Sequence, residues 1–584
     1  MDLYLKNSVE IWLDVEDWTC QPLLQAGLAV IFTVGLAFTL IWCMTWLRFY
    51  RELLRLRRSA STCISEMKRK EAGQQQQASK KELPRVSVLL PVKGVHSRSQ
   101  HNWRHQMEST HGGDVEFIFC IESHDDPAYQ ALKSFREERN SDVNRRGQGQ
   151  IKIVVAGLSF HSSQKIHNLL EGVKHVNPQS DYVLFLDDDA EMRPVIMRDL
   201  IFHLEEDPSV LVATGYPHEY ISPTTTSISF AGFMLLGYRK LAYLNISLLH
   251  PPALWGGCLM LRRRELMDPN IGILEAWKER GYSDDMIMGG RVHRCGRRMC
   301  HPATCVLVSE VDPQYSVSRH FNYIGRQMFV LDTYSDSTDK TQNYILLVLV
   351  CILVLSTALV FHLITIAYSF RIAFRLWAGE WGLSSESYCG FFQLQPMALE
   401  ILFVANCAFS FFVSMQVDAV ITRMCQHVSD QPEKFVHQCV TRPNGPQCPL
   451  SGHRPFALLL WTFCMSPTCL TRCFLCLPAC RSQAFALIMG QNPSAEAKVS
   501  FVCSQNMLYL VCGSIVGYMA NLGVQASCAF GTLFTDSIVW SGVRYYRKHG
   551  KVEAVWRTDT QGKPYTVPAS VSMQKSMATK TIVE

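Results

Sequence analysis

Tyr182 to Pro194 reads YVLFLDDDAEMRP, five apolar residues running straight into three adjacent aspartates. A buried strand that ends in clustered negative charge destabilises its own fold unless something positive compensates. Asp187 and Asp189 alternate along the chain, so in an extended backbone they share one face at roughly 7 Å, where two unit charges repel by about 2 kcal/mol at an effective dielectric of 20. A bound divalent cation would reverse that sign. Carboxylates are hard oxygen ligands suited to Mg2+ or Mn2+, and Mg2+ commonly takes one or two of them while sharing phosphate oxygens with a substrate. Metal at Asp187 and Asp189 plus a diphosphate is the expected partner, although a solvated acidic turn capping the next helix would produce the same letters.

Upstream, β-branched runs alternate with helical patterns: VSVLLPV (Val86–Val92), VEFIFCI (Val115–Ile121) and IKIVVAG (Ile151–Gly157). Continuous apolar strands imply cover on both faces, hence a mainly parallel sheet in an α/β layer fold. Ligands bind such sheets just beyond the carboxyl ends of the strands, and the aspartates lie at one of those ends. HDDPA (His124–Ala128) follows the second strand and puts Asp125 and Asp126 at another carboxyl edge, where a uracil or ribose could be gripped; a DDP turn is the plainer reading. QKIHNL (Gln164–Leu169) supplies Lys165, a cation able to meet phosphate, and Asn168, both donor and acceptor, or else a solvated helix start.

Downstream, LWGGCLMLRR (Leu254–Arg263) carries Trp255, Gly256 and Gly257, and a Gly-Gly pair admits close backbone approach to a ligand, or a strand bulge. GYSDDM (Gly281–Met286) adds the carboxylate pair Asp284 and Asp285, which an ordinary helix N-cap would also explain. RHFNYIGRQMFVLDTY (Arg319–Tyr334) sets Arg326 among aromatic and apolar residues before a long apolar run, as a membrane-edge amphipathic stretch would.

That apolar run is one of several. Over 584 residues, a hydrophobic fraction of 48% beside 18% charge is too apolar for a typical soluble enzyme and too charged for a pure membrane bundle. Leu23 to Leu47 is uncharged and longer than the ~20 residues a bilayer demands. Acidic residues precede it, which argues against a cleaved signal peptide, and Arg48, Arg51, Arg55, Arg57 and Arg58 follow it. Positive charge on that side puts residues 1–22 in the lumen and the following domain in the cytosol. Residues 48–83 read as a basic juxtamembrane segment and linker, with glutamines at 74–77. Further spans are expected at 344–370 and 396–422 and in the region 500–536, while Pro467, Arg472 and Pro478 interrupt a weaker one at 456–480. The helix count is four or five, and the basic tail 537–584 fits the cytosolic side. A net charge of +5 without a basic stripe gives no case for nucleic acid. Many of the 22 cysteines sit in apolar runs, and the single CxxC at Cys473 and Cys476 has no second pair at zinc spacing.

The ordered set HDDPA, QKIHNL, YVLFLDDDAEMRP, TGYP (Thr214–Pro217), LWGGCLM, GYSDDM and FNYIGRQMFVLDTY, closed by WSGVRYYRKHGK (Trp540–Lys551), resembles the ceramide glucosyltransferases of the plant and algal type. These are inverting nucleotide-sugar glycosyltransferases of the GT-A fold, and the resemblance runs from about Val86 to Val552. It implies a Rossmann-like GT-A domain over 84–335, with its membrane-edge segment at 319–335, inserted between transmembrane helices. It implies UDP-glucose and membrane-held ceramide as substrates, Mg2+ or Mn2+ as cofactor, and a multi-pass protein of the Golgi or endoplasmic reticulum with its catalytic domain in the cytosol. One of Asp125 and Asp126 matches the family's first aspartate region, Asp187 with Asp189 its metal-binding D-x-D, and Asp285 its catalytic base. Lys165, Asn168 and Arg326 would join Asp187 on the nucleotide sugar, and Trp255, Gly256, Gly257 and Asp284 would line the sugar or acceptor pocket. The family's Gln/Arg-x-x-Arg-Trp motif appears as YIGRQ, with Tyr323 and Gln327 in place of the flanking members. Processive polysaccharide synthases and polyprenyl-phosphate sugar transferases share this domain type, and a membrane scaffold with a decayed transferase domain is the non-enzymatic rival.

Overall fold

The computed structural model describes most of residues 83–347 and 513–558, together with 564–565 and 582–583. The expected spans at 23–47, 396–422 and 456–480 lie outside the described residues, as do most of 344–370 and about half of 500–536. Among the described residues no helix is long and apolar enough to cross a membrane. Within 500–536, residues 523–534 are helical and lead into a strand at Ser537.

The four apolar runs form strands β1 (Val86–Pro91), β2 (Val115–Ile121), β3 (Gln150–Val155) and β4 (Tyr182–Leu186). All pair in parallel, β1 between β2 and β4, with β3 outside β2. Helices α1 (Ser99–Glu108), α2 (Pro127–Ser141) and α3 (Gln164–Val173) connect them. Beyond β4 come α4 (Ile196–Glu206), β5 (Val210–Thr214), β6 (Tyr216–Tyr220), α5 (Phe230–Leu248) and β7 (Cys258–Arg262). Short helices α6 (Arg263–Leu266) and α7 (Ile273–Lys278) then lead to α8 (Asp284–Arg294), β8 (Arg298–Cys300), β9 (Val306–Glu310) and α9 (Val317–Val330).

The expectation of a mainly parallel sheet holds on one side only. β7 runs antiparallel to both β4 and β5, so the sheet is mixed. The chain has already crossed to the small β6–β9 pair and through α5 before it returns as β7, and nothing in an apolar strand's composition records its direction.

Alternation along the strands builds two cores. Val88, Leu90, Phe117, Phe119 and Leu184 point to one face, and Leu89, Ile118, Val183 and Phe185 to the other. Each fully buried side chain of this kind stabilises the fold by roughly 1.5–3 kcal/mol. Chain connections leave the sheet in opposite directions on the two sides of β1, which opens a crevice at the carboxyl ends of β1 and β4.

A further sheet comes from the end of the chain: β10 (Ser537–Trp540), β11 (Val543–Lys548), β12 (Lys551–Thr558) and β13 (Pro564–Tyr565) form an antiparallel meander. Val543, Tyr545, Val552 and Val555 pack with Tyr282 and Phe329 in one apolar cluster, so this sheet is folded onto the α/β domain. A last strand, β14 (Ile582–Val583), pairs antiparallel with the outer strand β3.

Candidate functional site

Strand β4 ends at Leu186, and the Asp187 N–H donates to the Gly257 carbonyl at 3.0 Å. The positive partner that the acidic run demands is Lys165, on the first turn of α3. Its ammonium lies 2.8 Å from Asp187 Oδ1 and 3.2 Å from Asp284 Oδ2, and donates to the Gly256 carbonyl at 3.0 Å. Burial works against this ammonium, but Asp187 and Asp284 outweigh it and hold its pKa above the ordinary lysine value.

One lysine does not balance the cluster. Burial, with Asp189 adding to it, raises the Asp187 carboxyl above the ordinary range despite Lys165. Burial lifts Asp188 well above it, and Asp189 and Asp187 lift it further. Asp189 is exposed at the rim. This excess of oxygen anion over cation is what a hard divalent ion neutralises, so the residues present fit such a group. A second constellation able to hold a metal is His101, His105 and Glu191, whose ligand atoms lie within 4.8 Å of one another. There, however, Glu191 already meets the Arg98 guanidinium and the His101 ring.

Two residues missed by sequence reasoning hold the acidic loop. Gln106 Nε2 donates to the carbonyls of Asp187 at 2.9 Å and Ala190 at 2.8 Å, and Asn102 Nδ2 donates to that of Asp188 at 3.3 Å. They stand four apart on one face of α1, both buried beside Trp103 and Met107. An amide pair on the apolar face of a helix was the available signal.

The second acidic pair opens α8. Asp284 is 5% exposed, and burial, with Asp285 and Asp187 reinforcing it, pushes its carboxyl up to about 7 against the pull of Lys165. Asp285 is half-buried and is held by neutral donors: Gly256 N–H at 3.0 Å on Oδ2, and Met286 N–H at 2.8 Å with the Ser283 hydroxyl on Oδ1. Ser283 does occupy the N-cap, but its hydroxyl turns to Asp285 and caps nothing. Among the described residues no cation lies within ion-pair distance of Asp285.

Close approach explains the Gly-Gly pair. A Cβ on Gly256 would stand 3.1 Å from both Asp284 Oδ1 and Asp285 Oδ2, and one on Gly257 would meet the Trp255 ring at 2.1 Å. Both precede β7, which keeps regular register with β4, so no bulge is involved. Trp255 is half-buried, with its N–H on Thr214 Oγ1 and its ring 6.2 Å from Tyr216.

The remaining candidates lie around this centre. Asp126 is buried, its Oδ1 accepting from Gly94 N–H at 2.9 Å and Ala128 N–H at 2.8 Å, so it caps α2 and fixes the loop after β1. Asp125 is exposed beside it. Asn168 is engaged within the fold, donating to the Cys120 carbonyl at 3.2 Å and accepting from Gln164 Nε2 at 2.7 Å. Arg326 places its guanidinium 5.7 Å from the Tyr323 ring centroid and 5.5 Å from that of Trp540 on the C-terminal sheet. The structure thus brings Lys165, Asp187, Asp284, Asp285, Gly256, Gly257 and Trp255 together, and leaves Asp125, Asp126 and Asn168 outside that contact network.

A family model described as Glycosyl transferase family 21 matches residues 53–423. No curated protein matches the chain. Among solved structures, a mannosyltransferase from Pyrobaculum calidifontis, in complex with GDP-Man and Mn2+, is 12% identical, with 85% of this chain and 99% of that one covered and a TM-score of 0.35. TarS residues 1–349 from S. aureus is 10% identical, with 60% and 89% covered and a TM-score of 0.27. Glucosyl-3-phosphoglycerate synthase from Mycobacterium tuberculosis, in complex with phosphoglyceric acid, is 14% identical, with 42% and 78% covered and a TM-score of 0.26.

Proposed function

The chain belongs to glycosyl transferase family 21, and on that footing we propose that it transfers glucose from UDP-glucose to the primary hydroxyl of ceramide with inversion. The observation that carries this reading is the arrangement at the carboxyl edge of the sheet: Lys165 between Asp187 and Asp284, with Asp285 suspended on the Gly256 amide beside them.

The nucleotide sugar lies across the crevice beyond β1 and β4, its diphosphate toward Lys165 and the acidic loop. Asp187 and Asp189 would hold Mg2+ or Mn2+, which supplies positive charge to the departing diphosphate. Asp285 removes the proton from the acceptor hydroxyl as that oxygen attacks the anomeric carbon from the face opposite the nucleotide. The bond from that carbon to the phosphate oxygen breaks as the new glycosidic bond forms, so configuration inverts, UDP leaves, and the proton rests on Asp285. Arg326, without a carboxylate partner among the described residues and flanked by two rings, would give charge-assisted hydrogen bonds to the diphosphate. The apolar runs at 23–47, 344–370 and 396–422, read as spans, would place this centre at the cytosolic surface of a Golgi or endoplasmic reticulum membrane, where a two-chain lipid reaches it without leaving the bilayer.

The test is incubation of the purified full chain with ceramide and, separately, labelled UDP-glucose, UDP-galactose or GDP-mannose, followed by identification of the product. β-Glucosylceramide from UDP-glucose is expected. A polymer or a polyprenyl-phosphate sugar would transfer the reading to those classes, and failure to bind any nucleotide sugar would leave a scaffold. Activity lost in EDTA and restored by Mn2+ or Mg2+ checks the metal, and full activity in EDTA would remove it.

A further inference from the structure

The C-terminal sheet touches both halves of the site. Tyr545, on β11, is 2% exposed, and its hydroxyl accepts the Gln164 N–H at 3.2 Å, at the very start of the helix that carries Lys165. Its ring stands edge-on to that of Tyr282, with centroids 5.5 Å apart, just before the Ser283–Asp285 turn. One side chain therefore reaches the two segments whose relative placement sets the distance from Lys165 to Asp284.

Other contacts run the same way. Ser163 N–H donates to the Gly281 carbonyl at 2.9 Å, joining the two segments directly. Val552 N–H donates to the Arg280 carbonyl at 2.9 Å, and Lys551 pairs with Glu279 at 2.8 Å, so β12 braces the approach to α8. On the α3 side only, the buried Arg557 donates to Gln164 Oε1 and lies 3.3 Å from Glu122 Oε2. Gln164 is thus held by the C-terminal sheet through both its backbone and its side chain.

We propose that Tyr545 is a positioning residue for the reaction, setting the start of α3 with Lys165 against the start of α8 with Asp284 and Asp285, so that this one side chain of β11 supports the catalytic centre. It touches no substrate in this role; it acts through the two segments it joins. The kinetic part of the test rests on the glycosyl-transfer reading above, and the exchange part does not.

The experiment compares hydrogen exchange and turnover in the purified full chain carrying Tyr545→Leu, Tyr545→Phe, Arg557→Met or Trp556→Ala. Trp556 is exposed on the same sheet and packs on Tyr546, so its loss weakens the sheet without touching either segment. Tyr545→Leu should speed exchange in 160–168 and 281–286 together. Tyr545→Phe, which keeps the ring, and Arg557→Met should speed it in 160–168 alone. Because displacement of catalytic groups by about 1 Å costs up to ~100-fold, Tyr545→Leu should lower kcat at least ~10-fold, with KM for the nucleotide sugar changed less than ~2-fold. Trp556→Ala should lower the thermal midpoint while leaving both segments and kcat near wild type.

If Tyr545→Leu opens the two segments no more than Trp556→Ala does, or if Tyr545→Phe leaves 160–168 as protected as in wild type, the assignment is overturned. A wild-type chain that turns over no nucleotide sugar would sink the glycosyl-transfer reading, and the exchange pattern would still decide the coupling.

Discussion

Asp187 and Asp285 belong to the same cluster yet are held in opposite ways. Asp187 follows the last residue of a strand and lies against an ammonium, whereas Asp285 opens a helix and rests on two amides and a hydroxyl. A carboxylate matched by a cation is fixed as part of a charge balance, and shifting it disturbs every neighbour. One held by neutral donors keeps its orientation with no counter-ion beside it, which leaves an acceptor hydroxyl room to approach it. Lys165 draws the line between the two, because it reaches Asp187 and Asp284 but not Asp285.

The sharpest way to break that contrast is Asp285→Asn. It keeps the shape and removes the base, so kcat should fall on the order of 1000-fold while nucleotide-sugar binding, measured by calorimetry, survives. Wild-type turnover in the reconstituted variant would falsify the assignment. Lys165→Met should weaken nucleotide-sugar binding and also stability, because it removes a cation facing the diphosphate and strands two carboxylates; breaking a buried pair costs about 3–5 kcal/mol, read from denaturant unfolding. Adding Asp284→Asn to that variant should recover part of the loss, and no recovery would mean that the lysine does not balance Asp284.

Gly256→Ala probes the boundary between the two acids. The new methyl would press on Asp284 and Asp285 at 3.1 Å, costing about 1–3 kcal/mol and lowering kcat roughly 10-fold as the base is displaced. An alanine variant with normal kcat would show that the amide does not set the base. The remaining expectation concerns pH dependence. Asp284 ionises near pH 7 in the fold but near 4 when unfolded, so between those values the native chain holds a proton that the unfolded chain has released. This group's contribution is therefore complete below about pH 4 and is lost as pH rises through about 7. Asp284→Asn should flatten the fall in thermal midpoint across that window.

Much of the α/β core is legible in the chain because β4 is an unbroken apolar run and β1 and β2 are interrupted only by Ser87 and Glu116, so burial on both faces is the natural reading of them. The acidic motifs and Lys165 could be placed because strand ends locate a crevice. The direction of β7 could not, since an apolar strand looks the same in either orientation. Nor could the positions of Asn168 and Asp126, whose polar groups serve the fold's own hydrogen bonds, as such residues usually do. The C-terminal sheet was hidden by composition: β11 alternates buried Val543, Tyr545 and Arg547 with more exposed Arg544, Tyr546 and Lys548, and so passes for a basic tail. Its turns were the overlooked signal. Ser541–Gly542 and His549–Gly550 each put two successive residues at positive φ, the geometry of a two-residue hairpin with glycine second.

The bond between Gln164 and Tyr545 also has a consequence for how the chain is made. These residues lie 381 positions apart, and the apolar stretches are synthesised between them. At roughly 5–20 residues per second, the ribosome delivers the second partner some 20–80 seconds after the first. During that interval the nascent enzyme carries an uncovered Tyr282 and an unlatched helix, and must either be shielded or risk association with its neighbours. Ribosome-arrested chains ending before Ser537 should therefore be cut by protease between 156 and 165, where released full-length chains resist.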